Sequence, residues 1–149
     1  MDATEHDALE PGRSSRGRAS SFGVLWLLVL VAQLLMIWAF PRVPTQDGPV
    51  HVASAIAFRD LHAPGTSYGE LFERGLEGFP HWTSHLVLAG LTWAVDPTVA
   101  EKLLVTLWFL LWPLAARWLA GSVGAAREAV TGVALLLAFG RAFWLGFYG

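Results

Sequence analysis

An acid and an imidazole one helical turn apart are the residues of this sequence best suited to chemistry. Asp47 stands two residues before Pro49, a favoured helix start, and His51 follows four residues after the acid. A carboxylate here can take a proton from a hydroxyl or supply oxygen to a divalent cation. The imidazole can partner that carboxylate, orient a phosphate or act as a second base. The plainer alternative is that Asp47 caps a helix and His51 lies in a lipid headgroup layer. His81 and His85 are also four apart and would share a helix face. The intervening Trp-Thr-Ser lacks the glutamate of a His-Glu-x-x-His zinc motif, so contact with phosphate or headgroups is favoured over metal. Arg141 interrupts an apolar run, at a cost of ~2.5 kcal/mol or more if it sat at the centre of a bilayer. Such a residue faces a cavity or a partner, or snorkels to an interface.

The elements that must position these groups are apolar. Of 149 residues 54% are hydrophobic and only 15% charged, which argues for a chain in a bilayer rather than a soluble domain. A net charge of -2 offers no basic field for nucleic acid. The absence of cysteine removes disulfides and thiolate chemistry. Eight tryptophans and nine phenylalanines suit membrane interfaces. No phosphate-binding glycine loop, Gly-x-Ser-x-Gly or kinase signature is present.

Residues 1–20, acidic and then arginine-rich, read as a disordered cytoplasmic tail. From Phe22 to Phe40 there is no charge, and a helix there would reach roughly 28 Å, enough for a hydrocarbon core of ~30 Å. Its length and the lack of a small-residue cleavage site set it apart from a signal peptide, and Arg13, Arg16 and Arg18 place the N-terminus in the cytoplasm. Residues 41–79 then form an extracytoplasmic loop. Within it Pro49 to His62 is predicted to be a short amphipathic helix, with Val50, Ala53, Ala57 and Leu61 on one side and His51, Ala55, Arg59 and His62 on the other. Tyr68 to Leu76 adds a turn or two with a solvated acidic face, and Pro80 starts the next helix.

Further spans are predicted at about 80–95, 99–119, with an interruption at Pro113, and 128–148, giving an all-α membrane domain over residues 21–149. The segment 80–95 is short for a crossing. Four crossings would put Arg117 and Arg127 outside, against the usual charge bias, whereas a re-entrant 81–95 would put them inside. The last run reaches Gly149 without a polar flank, so a longer protein is expected.

The stretch Pro-x-x-Asp-Gly-Pro-x-His-x-x-x-Ala from Pro44 to Ala55, after a basic tail and one spanning helix, resembles the opening of bacterial multi-spanning GT-C-type glycosyltransferases. Phe79 to His85, Asp96 to Lys102 and the closing Gly-Phe-Tyr at Gly146 are similar to later landmarks of such chains. The likeness covers about residues 20–149 through short, degenerate motifs. It implies a helical enzyme of the bacterial inner membrane that moves a sugar from a polyprenyl-phosphate carrier to an extracytoplasmic acceptor, with membrane lipids and the lipid-linked donor as partners. Asp47 would be the general base or acceptor-positioning acid, His51 and His85 would line the site, and Arg141 would contact phosphate. Gly48 stands where the family often has a second acid, so no metal site is assigned, although a divalent cation would suit Asp47. The family's further spans lie beyond this chain, so it is expected to be an N-terminal part, inactive by itself. The alternative is a non-catalytic multi-pass membrane protein whose Pro41–Pro80 loop binds a partner.

Overall fold

The computed structural model describes residues 13–72 and 82–145, all of whose regular structure is helical. Helix α1 spans Arg13–Ala39 and takes in residues 13–20, which composition had assigned to a disordered tail. Leucine and alanine favour the helix, and Pro41 prevents its continuation. Ile37 is buried, but much of the apolar surface is not hidden: Val24, Leu25, Leu27, Leu28, Val31 and Leu35 are all exposed.

Helix α2, Gly48–Arg59, begins with Pro49 in its first turn, as expected. A short α3, Tyr68–Leu71, follows, and Phe72 is already extended. The rest of the acidic turn, Pro80 and His81 lie outside the described residues. Helix α4, Trp82–Leu91, has ten residues, about 15 Å of rise.

Helix α5, Pro97–Ser122, is the hub, packing against α1, α2, α4 and α6. Asp96 caps it as expected, its carboxylate accepting the Thr98 N–H at 2.8 Å. Pro113 does not interrupt it: the helix runs on to Ser122, with the proline ring buried. A proline deletes one backbone donor, and a helix held by neighbours on several sides tolerates that loss. At the far end Gly124 takes φ 71°, and the Ala125 N–H returns to the Ala120 carbonyl at 2.8 Å, a Schellman-type ending.

Helix α6, Arg127–Ala138, runs back along α5 and breaks at Phe139–Gly140 before the short α7, Arg141–Leu145. The helices α5 and α6–α7 are long and apolar enough to cross a membrane, while the apolar part of α1, Gly23–Ala39, is shorter. Only 22% and 29% of the most apolar stretches of α5 and α6–α7 are buried inside the protein, unlike a soluble core helix, which is buried over most of its length.

Contacts set the directions. The Trp38 indole donates to the Thr106 hydroxyl at 3.1 Å, and the Lys102 ammonium donates to the Phe40 carbonyl at 2.6 Å, so the end of α1 meets the start of α5. The Gln33 amide donates to the Leu135 carbonyl at 3.0 Å and Trp26 covers Gly132, so α1 runs parallel to α6. Two apolar clusters meet at Leu104. One joins Ile37, Val43, Val105, Phe109, Ala138 and Phe143; the other joins Ala55, Leu88, Ala89 and Ala100, whose three alanines let α2, α4 and α5 approach closely.

Candidate functional site

The loop from Phe40 to Asp47 carries the candidate acid and is held at three points. Lys102 holds the Phe40 carbonyl, Val43 is buried in the larger cluster, and the Gln46 N–H donates to the Trp144 carbonyl of α7 at 3.0 Å. Asp47 occupies the N-cap position of α2, and its backbone carbonyl accepts from the Val50 and His51 N–H groups, each at 3.0 Å. Its side chain makes no capping hydrogen bond. The half-buried carboxylate is therefore not consumed by helix capping, which is what the plainer sequence reading assigned to it.

The structure brings two other expected residues together. His51 Nδ1 lies 3.1 Å from His85 Nε2, with ring centroids 5.0 Å apart in an edge-on arrangement. One ring nitrogen must donate and the other accept. The two rings thus form a hydrogen-bonded pair one turn beyond Asp47.

The expected face of α2 holds only in part. Ala57 and Leu61 of the apolar side are buried, but Val50 and Ala53 are exposed, while Ala55 on the other side is fully buried with the half-buried His51 and Arg59 beside it. Helices α4 and α5 offer alanines and hydrogen-bonding groups, so small and polar residues of the second side pack as well. The Arg59 guanidinium donates to the Thr92 carbonyl at 2.8 Å, tying the end of α2 to the end of α4, and grips Asp60 through two hydrogen bonds. That grip holds the Asp60 carboxyl below its usual range and pushes Arg59 up.

A carboxyl depressed in the folded protein stabilises above its unfolded pKa of about 3.9 and loses that contribution as pH falls through the folded value. Acidification below about pH 4 is therefore expected to loosen the α2–α4 join, and Asp60→Asn to remove that part of the pH dependence, as read by thermal unfolding at pH 6 and pH 3. The effect will be small, because adjacent residues also meet in the unfolded chain and the pair is partly exposed.

Arg141 starts α7, is exposed, and stands three residues before the Trp144 carbonyl that holds Gln46. It is thus brought to the neighbourhood of the acid-bearing loop through backbone pairing rather than by a contact with the histidines. His81, the other half of the expected histidine pair, lies outside the described residues. Among the described residues no three His, Asp or Glu gather, so the donor set for a divalent cation is not complete there.

Two residues escaped the sequence reading. Glu101 and Lys102, only 3% and 8% exposed, lie at the start of α5. Besides bonding the Phe40 carbonyl, Lys102 places its ammonium 5.5 Å from the Trp38 ring centre. The signal was present as an adjacent acid and base just inside a long apolar helix, a position where ionisable groups have work to do. No family model matches this chain, and no curated protein or solved structure matches it either.

Proposed function

We propose that this chain carries the acid-loop region of a GT-C-like membrane glycosyltransferase. It would move a sugar from a polyprenyl-phosphate carrier to an acceptor hydroxyl at the extracytoplasmic face of a bacterial inner membrane, crossing that membrane several times with its N-terminus in the cytoplasm. One observation carries the reading: a carboxylate left out of helix capping stands one turn from a hydrogen-bonded imidazole pair, on a loop fixed at both ends. The exposed apolar surface of α1, α5 and α6 supplies the lipid setting such a carrier requires.

In this mechanism the acceptor oxygen attacks the anomeric carbon as the bond between that carbon and the carrier phosphate oxygen breaks. The phosphate leaves with the electron pair, and Asp47 receives the hydroxyl proton. N–H donors of the imidazole pair and of Arg141 offset the charge that develops on the departing phosphate. Without the second carboxylate that Gly48 replaces, no step is assigned to a cation.

The test is transfer from a labelled polyprenyl-phosphate sugar by membranes containing the full-length protein, wild type against His85→Gln. Glutamine still forms hydrogen bonds but cannot reproduce the placement of the imidazole ring nitrogens. The donor KM is expected to rise about tenfold, equivalent to ~1.4 kcal/mol. No chain-dependent transfer in the wild type, or an unchanged donor KM and kcat in the variant, would remove the reading and leave a non-catalytic membrane protein.

A further inference from the structure

Apolar runs counted along the sequence suggest four crossings, but the packing orders the chain differently. Helix α1 runs antiparallel to α5 and parallel to α6, so the start of α1, the end of α5 and the start of α6 lie together. That end holds Arg117, Arg127 and the arginines at 13, 16 and 18 that open α1. Its nearby acid, Glu128, is engaged by Arg117 at 2.8 Å. The tail acids at 2, 5, 7 and 10 lie beyond these arginines, and acids weigh little in membrane orientation.

The short α4 is the reason the count falls. At about 15 Å it reaches only halfway through a hydrocarbon core of ~30 Å. It packs on α2 and on the first turns of α5, with Leu88 and Ala89 beside Ala55 and Ala100, and Arg59 bonds the Thr92 carbonyl just past its end. The chain therefore re-enters α5 at the same end where it left α1. Of the exposed tryptophans, Trp38, Trp93 and Trp144 lie near the Asp47 loop and Trp118 beside the arginines, with Trp112 partway along α5. Trp93 and Trp118, at 75% and 76% exposure, have almost no protein cover, as suits rings in a headgroup layer.

We infer that the chain crosses the bilayer three times, through α1, α5 and α6–α7. Residues 41–72 and 82–96 then lie on one face, and the α5–α6 hairpin docks with the N-terminal arginines against the anionic headgroups of the other. Charge complementarity selects this occupant, because an arginine-rich rim around an apolar belt fits a negatively charged leaflet. None of this depends on the sugar-transfer reading.

The chain contains no cysteine, so one introduced thiol reports alone. Ser67→Cys, Ala94→Cys and Ala125→Cys, all at exposed positions, would be treated in intact cells with a membrane-impermeant maleimide. Ser67→Cys and Ala94→Cys are expected to react, and Ala125→Cys only after the membrane is opened. If Ala94→Cys is shielded while Ala125→Cys reacts, the chain crosses four times and the inference is overturned. Reaction of all three from one side would overturn it too, by placing hairpin and loop together in water or in a partner. The mirror pattern, with only Ala125→Cys reacting, would overturn the assignment of the arginines to the anionic inner leaflet.

Discussion

Under the proposed sugar-transfer mechanism, Asp47→Asn is expected to lower transfer by two to four orders of magnitude, about 3–5 kcal/mol of barrier, the usual scale for losing a positioned general base. Asparagine has nearly the same shape and ranks equally as a helix N-cap, so α2 should form as before. The Asp47 side chain gives up no capping bond on substitution, since it makes none. The informative measurement pairs kcat/KM with the unfolding temperature of the same preparation. A large kinetic loss at an unchanged temperature assigns the effect to the carboxylate. Transfer within twofold of wild type would take Asp47 out of the reaction, whatever the fate of the histidine pair.

Gly132→Ala is expected to destabilise the protein, although the same change inside most helices stabilises by ~0.5–1 kcal/mol. A Cβ at Gly132 would stand 2.0 Å from Trp26 Cζ2 and 2.4 Å from Cε2, closer than any real contact. The indole cannot yield as the tip of a flexible chain would, so α1 must move off α6, at a cost of about 1–3 kcal/mol for overpacking. That exceeds the gain in helix propensity. Close approach at a glycine is where van der Waals contact between two helices concentrates. A double-mutant cycle with Trp26→Ala checks the mechanism. The second change removes both the clash and a buried indole N–H that has no hydrogen-bond partner among the described residues, so the double variant should unfold at a higher temperature than Gly132→Ala alone. Simple additivity of the two changes would place the origin of the loss elsewhere.

The helical class was legible because apolar residues without charge over Phe22 to Phe40 leave few alternatives, and Asp96-Pro97 announces a helix start by its own chemistry. The meeting of His51 with His85 was not legible, because 34 positions separate them and no local pattern encodes which face of α2 will find α4. Polarity found only part of the packed surface, Ala57 and Leu61, and the fit of Ala55 against Ala100 and Ala89 added the other side. The role of Lys102 was hidden for a different reason. Its partner is a backbone carbonyl, at Phe40, and main-chain acceptors leave no trace in side-chain identity. Pro113 misled because a proline inside a helix ends it only when nothing else restrains the chain.

The clasp between the Gln46 amide and the Trp144 carbonyl bears on how the molecule is made. A ribosome releases the acid-bearing bend nearly a hundred residues before the strut that fixes it. Throughout that interval the carboxylate has a helix to sit on but no settled address. The geometry around Asp47 is therefore settled only after residue 144 has been made, and nascent chains halted short of α7 would leave that bend adrift.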